Sequence, residues 1–309
     1  GKVMEELANY AAQNLKVDLL SEAQHLAYRL LLRYDPYASF PGKAVSFLGQ
    51  CLDEARSRHE RVIGNAEVIR SFVQQTGLPE LFLRDEMPLD LKALHAHFEE
   101  RIIGQPTAVK ALTRVVKVFK AGLNNPYRPI ASFLFAGPTG VGKTASVKAL
   151  SEYFFGKGQR KSPLIRIDMS EFQHPEQMVR LIGAGRQPGQ LVKEVRERPF
   201  SVLLLDEVEK ADPSIFDALL GLLDEGVLVD AYGRETNFRN TIVIMTSNLG
   251  ASSRSVPGFG EKNPDAAAYR SAIERHFRPE RMRDTYLDDG GVVTFSMINH
   301  QCNEICHDR

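Results

Sequence analysis

The chain has 309 residues, of which 43% are hydrophobic and 25% charged, an ordinary globular composition with room for two or three domains. Lysine plus arginine and aspartate plus glutamate both number 39, so no global basic field draws the protein to nucleic acid. Three cysteines, Cys51, Cys302 and Cys306, do not suggest a disulfide framework, and no apolar run approaches the ~20 residues of a membrane helix. No nucleic-acid or membrane partner and a cytoplasmic location are expected. Gly1 to Glu5 has no apolar signal-peptide core, and the chain reads as a piece of a longer protein.

In chain order, residues 1–58 read as a small all-helical domain. Leu19, Ala23, Leu26, Ala27, Leu30 and Leu31 share one helical face. Ser21 with Gln24 suggests a capping box at its start. Ala44, Val45, Leu48, Leu52 and Ala55 mark a second amphipathic helix, with Cys51 on the same face as a small buried hydrophobe. Residues 59–90 read as a linker. They hold a short helical pattern over Ala66–Gln74, broken at Thr76-Gly77-Leu78-Pro79. Residues 91–295 alternate between helix and strand. Runs of strand length lie at Ser132–Ala136, Leu164–Ile167, Val202–Leu205 and Thr241–Met245. This alternation predicts an α/β fold with a parallel sheet covered by helices.

Three of those runs end in polar residues suited to one chemistry. After Ser132–Ala136 comes Gly137-Pro138-Thr139-Gly140-Val141-Gly142-Lys143-Thr144, a complete G-x-x-x-x-G-K-S/T phosphate loop in its strand-loop-helix context. Glycines turn successive N–H groups towards phosphate oxygens, and the following helix adds its positive end. Lys143 is expected on the β- and γ-phosphates of ATP, with the Thr144 hydroxyl as one Mg²⁺ ligand. After Val202–Leu205 come Asp206 and Glu207, expected to hold Mg²⁺ and to orient the attacking water. After Thr241–Met245 comes Thr246-Ser247-Asn248, whose terminal amide suits the γ-phosphate or the lytic water.

Several runs together resemble Clp-type AAA+ chaperone ATPases. They are Arg101-Ile102-Ile103-Gly104-Gln105, Arg128 through Thr144, Arg166-Ile167-Asp168-Met169-Ser170-Glu171-Phe172, Leu205 through Lys210, Phe238-Arg239-Asn240-Thr241, Thr246 through Gly250, and Phe277-Arg278-Pro279-Glu280. Their order resembles the second ATPase module of the two-module members. Residues 1–58 are similar to the helical lid of a preceding module, and 296–309 to the start of this module's own lid. The resemblance implies an AAA+ large subdomain, ATP and Mg²⁺ as ligands, and Ile102 and Ile103 at the adenine. It also implies Asn248 as the γ-phosphate sensor and a ring, usually a hexamer, that threads protein substrates. A partner protease is a further implied possibility. The alternative is a nucleotide-gated assembly module that recruits a partner without threading.

Two segments depart from the family pattern. Where the family carries a Gly-Tyr-Val-Gly pore loop, this chain reads Gly185-Arg186-Gln187-Pro188-Gly189, without an aromatic. After Glu280, Arg281-Met282-Arg283-Asp284 stands where the family has its arginine finger. Arg283 is the candidate finger and Arg281 the alternative. His300, Cys302, Cys306 and His307 match no common zinc spacing, and a buried helix face accounts for the cysteines.

Overall fold

The computed structural model describes residues 2–35, 39–156, 162–184, 187–230, 232–250, 266–276 and 292–295. The chain divides into two compact units, Gly1–Pro88 and Leu89–Arg309.

The first unit contains α1 (Lys2–Tyr10), β1 (Asp18–Leu19), α2 (Ser21–Tyr34), α3 (Gly42–Ser57), β2 (Val62–Ile63), α4 (Asn65–Thr76) and α5 (Glu80–Leu83). Its core forms where the amphipathic faces meet. Leu26, Leu30 and Leu31 of α2, Leu48, Cys51 and Leu52 of α3, and Val68, Ile69 and Phe72 of α4 are all buried. Phe72 packs against Phe47 and Tyr34, each with ring centroids 5.7 Å apart. Burial pushes the Cys51 thiol up to about 11, as befits an inert core residue.

Residues 59–90 differ from the linker expected of them. Their helix α4 buries Val68, Ile69 and Phe72 in this core, and the Tyr34 hydroxyl donates to Phe82 O of α5 at 2.7 Å. Val68, Ile69 and Phe72 lie on one stripe of α4, which packs against α2 and α3. The unit is also not wholly helical, because β1 and β2 pair in parallel. That pairing holds Leu20 extended, through Leu20 N–H to Ile63 O at 3.1 Å, so Ser21 becomes the first helical residue rather than a cap. Gln24 turns instead to Leu19 O.

The second unit runs α6 (Leu91–Glu99), α7 (Pro106–Lys120), β3 (Ala131–Ala136), α8 (Lys143–Phe155), β4 (Leu164–Asp168), α9 (Met178–Leu181), β5 (Gly183–Ala184), β6 (Gln187–Pro188), α10 (Gln190–Glu197) and β7 (Ser201–Asp206). It continues with α11 (Pro213–Glu225), β8 (Val227–Val229), β9 (Glu235–Asn237), β10 (Thr241–Ser247), α12 (Ala266–His276) and β11 (Val292–Thr294). Its main sheet is five-stranded, in the order β11-β3-β10-β7-β4, and every pairing is parallel. All four predicted strands are present. The fifth, β11, is too short for its three residues to stand out as a strand in the sequence.

Side chains alternate across the sheet. Leu134, Leu203, Leu205, Val243 and Met245 join Leu191 and Val195 of α10 and Phe216 and Leu219 of α11 in one cluster. Their alternates Phe133, Phe135, Leu204 and Ile244 are buried as well, so both faces are covered. That is why these strands read as continuous apolar runs.

At the segment compared with a pore loop, β5 and β6 pair antiparallel, with Gly183 opposite Pro188 and Ala184 opposite Gln187. Two glycines let the pair close. A Cβ on Gly189 would lie 2.4 Å from Leu181 C and O, and one on Gly183 would lie 2.5 Å from Gly189 N. Backbone cannot yield as a side chain does. Gly189→Ala is therefore expected to destabilise the second unit by ~1–3 kcal/mol, measured as a lower denaturation midpoint, whereas Gly221→Ala, with open space around the site, should not.

A candidate nucleotide-hydrolysis site at the strand ends

Register brings the polar strand ends together. Ser247 of β10 lies opposite Ala136 of β3, Met245 opposite Leu205 of β7, and Asp206 opposite Asp168 of β4. The phosphate loop, Asp206, Glu207 and Asn248 thus sit at one edge, the carboxyl edge where open α/β sheets bind ligands. A cleft of about 420 Å³ lies there. Thr139, Gly140, Gly142, Lys143, Thr144, Asp206, Glu207, Thr246 and Asn248 line it, together with Ala145, Arg166 and Asp168.

Gly140 and Gly142 hold φ of 86° and 101°, the left-handed region that favours glycine. Nothing lies within 4 Å of where their Cβ atoms would be, so the concave side of the loop is open. Helix α8 begins at Lys143 and directs its N-terminal amides and positive dipole end at this space. Gly137 sits beneath, donating to Ser247 O at 3.1 Å. A Cβ there would meet Phe295 O at 2.6 Å, and Phe295 N–H donates to Ala136 O at 2.7 Å. The residue after β11 therefore clamps the root of the loop.

The Lys143 amine donates to Pro138 O at 2.8 Å, to Asn248 Oδ1 at 2.9 Å and to Gly137 O. Burial lowers its pKa, while Glu209, Asp206 and Glu207 act to raise it. Asn248 continues the chain of contacts, with Nδ2 donating to Glu207 Oε1 at 3.2 Å and its N–H to Glu209 Oε1 at 3.0 Å. Lys143, Asn248 and Glu207 are thereby joined across three strand ends. Glu207 itself is left-handed, at φ 56° and ψ 52°. Such strain in a non-glycine residue persists only where its surroundings hold it. Here its N–H donates to the Thr246 hydroxyl at 3.0 Å, and Lys210 pairs with its Oε2. The Thr246 hydroxyl in turn donates to Asp206 Oδ1.

The donor set fits a hard dication. Asp206 and the half-buried Thr144 hydroxyl offer oxygen ligands in the same cleft, the chemistry magnesium prefers. Charge argues the same way. Asp168, Asp206 and Glu207 outnumber Lys143 and Arg166 among the lining residues, so a polyphosphate would enter a net-negative cleft unless a cation came with it.

Other expected residues stand elsewhere. Ile102 is buried and Ile103 is 72% exposed, and neither lines the phosphate cleft. Their segment is nonetheless tied to the loop, because Gln105 Nε2 donates to Val141 O at 3.2 Å. Pro138 and Val141 do not line the cleft either, and their carbonyls accept from Lys143 and Gln105. Arg281, Arg283 and the group His300, Cys302, Cys306 and His307 lie outside the described residues. Thr246, Glu209, Arg166 and Gln105 received no role from sequence, since each acts through a contact between distant segments. A polar residue closing a buried strand was the signal for Thr246.

Fold and cleft define a P-loop nucleotide-binding module. The family model for the AAA domain (Cdc48 subfamily) matches residues 128–282. The chain is 43% identical over 221 residues to chaperone protein ClpB of Pseudomonas putida, covering 70% of this chain and 25% of that protein. It is 42% identical over 256 residues to the ATP-dependent Clp protease ATP-binding subunit ClpC of Staphylococcus aureus, covering 78% and 30%. Among solved structures, the Saccharomyces cerevisiae Hsp104–ADP complex superposes with a TM-score of 0.76 at 28% identity, over 97% of this chain and 52% of that one. The chain belongs to the AAA family and is of the Clp chaperone ATPase type. It spans about a quarter to a third of the curated relatives' length.

Proposed function

We propose that this chain is the working part of an ATP-hydrolysing, ring-forming chaperone that remodels protein substrates. The observation that carries this reading is the linked set Lys143–Asn248–Glu207 beside Asp206 and an open phosphate loop. Lys143 and the loop amides would hold the β- and γ-phosphates. Asn248, which touches both Lys143 and Glu207, would register whether a γ-phosphate is present. Glu207 would orient and polarise the attacking water, its carboxylate held between Asn248 and Lys210. Magnesium, held by Thr144 and Asp206, would neutralise charge developing on the phosphate oxygens. Hydrolysis would draw its last cation, an arginine finger, from a neighbouring copy, with Arg283 or Arg281 as the donor.

A protein substrate accords with the description of one matched structure, and the ring, usually a hexamer, is proposed from the resemblance of the motifs to Clp-type ATPases. One matched structure is described as an Hsp104:casein complex, and a ClpC relative as a protease's ATP-binding subunit. A partner protease is part of the proposal on that ground alone. The first unit would be the lid of a preceding module, extended through α4 and α5. A cytoplasmic location is proposed too; among the described residues no helix is long and apolar enough to cross a membrane.

The β5–β6 pair favours a second reading, a nucleotide-gated assembly module, because Gly183, Ala184, Gln187 and Pro188 offer no aromatic grip. An assay with a tagged, folded protein substrate separates the two. ATP-dependent unfolding is the expected result. ATP hydrolysis and oligomerisation without unfolding would leave the assembly reading standing, and absence of hydrolysis in the oligomer would remove the first.

A further inference from the structure

Arg166 lines the phosphate cleft from within β4, outside the phosphate loop and the polar ends of β7 and β10. It stands two residues before Asp168 on β4 and so on the same face. Asp168 is in register with Asp206 of β7, which sets Arg166 diagonally across from Asp206. Its Nε and Nη2 reach Asp206 Oδ2 at 3.1 and 2.6 Å. The other oxygen, Oδ1, takes the Thr246 hydroxyl. Both oxygens of the carboxylate that would serve magnesium are engaged by the protein's own donors.

The two partners differ in their freedom. The Arg166 side chain is 59% exposed and that of Asp206 only 13%. The guanidinium can swing into solvent, whereas the carboxylate is fixed at a strand end. Asp168 lies beside Asp206 and is already committed, because Ser170 donates to its Oδ1 from both N–H and hydroxyl. These contacts, chiefly those of Ser170 with a smaller part from Arg166, hold the Asp168 carboxyl below its usual range. Without Arg166, two adjoining carboxylates would face an incoming polyphosphate with less compensation.

We propose that Arg166 is a positioning residue that competes with magnesium for Asp206 Oδ2 and so sets the metal requirement of nucleotide binding. The inference rests on the nucleotide reading above. A dication seeking that oxygen must first break a forked, charge-assisted pair, which raises the concentration at which metal helps. In the absence of metal, the same pair shields the phosphates from Asp206.

Binding affinity tests this without any measurement of turnover. A fluorescent ATP analogue is titrated into the full chain, first with EDTA and then across a magnesium series, for the parent, Arg166→Gln and Arg166→Lys. In Arg166→Gln the magnesium midpoint is expected to fall roughly two- to five-fold, the size of a half-exposed ion pair, and metal-free affinity to weaken. Arg166→Lys, which keeps the charge but loses the fork, should fall between. An unchanged or raised midpoint in both variants overturns the inference while parent binding persists. A parent chain that binds no analogue at any magnesium concentration overturns the nucleotide reading and the inference with it.

Discussion

Glu207→Gln is expected to lower ATP turnover by ~10²–10⁴-fold, the usual worth of a placed general base, while nucleotide still binds. The substitution keeps shape and an acceptor for Asn248 Nδ2, which now meets Glu207 Oε1 at 3.2 Å. It keeps the backbone bond from residue 207 to the Thr246 hydroxyl. What it removes is the charge that pairs with Lys210 and that, in the proposed mechanism, polarises water. In the proposed reading binding rests on the loop amides and Lys143, which the change leaves in place. Steady-state hydrolysis by the oligomer, with analogue binding measured in parallel, checks both halves. Equal hydrolysis in parent and variant would remove Glu207 from the chemistry.

Lys143→Ala is expected to act one step earlier and weaken nucleotide binding by roughly 10- to 100-fold, the scale of one charged hydrogen bond to phosphate. Three acceptors converge on this amine, Gly137 O, Pro138 O and Asn248 Oδ1. They would lose it together, so the loop root should loosen as well. A pH series separates charge from packing. Burial holds the pKa of Lys143 below the usual lysine value, and a bound polyphosphate raises it. Affinity is therefore complete below the free protein's Lys143 pKa and is lost as pH rises through it towards the bound value. The parent should show this fall and Lys143→Ala should not. A parent affinity flat through the lysine range would take Lys143 off the phosphates.

The parts of the site that follow local rules were legible in sequence. The phosphate loop is contiguous, and its glycines must sit where φ is positive. Asp206, Glu207 and Asn248 each close a run of apolar residues, and runs so uniformly apolar belong to strands buried on both faces. Less legible was whatever joins distant segments. The helix pattern over Ala66–Gln74 was visible, but its membership of the first unit depends on which faces α2 and α3 leave open. The expected capping box at Ser21 failed because β1 pairs with β2, a contact across more than forty residues. Strand β11 was invisible because three residues carry no period, and only the free edge of β3 makes them a strand.

Amino-acid order alone determined the ligand class of this protein, since a run from Gly137 to Thr144 carries its donors on consecutive backbone atoms. It also determined which strand ends bear acid or amide groups. Only the tertiary structure decided how those groups meet. Parallel register sets Ser247 beside Ala136 and Asp168 beside Asp206. The left-handed turn at Glu207 aims its carboxylate at Asn248, and the diagonal across β4 and β7 gives Asp206 to Arg166. The reason is physical: a hydrogen bond is made over about 3 Å, and residues far apart along the chain come that close only after the sheet has set their register.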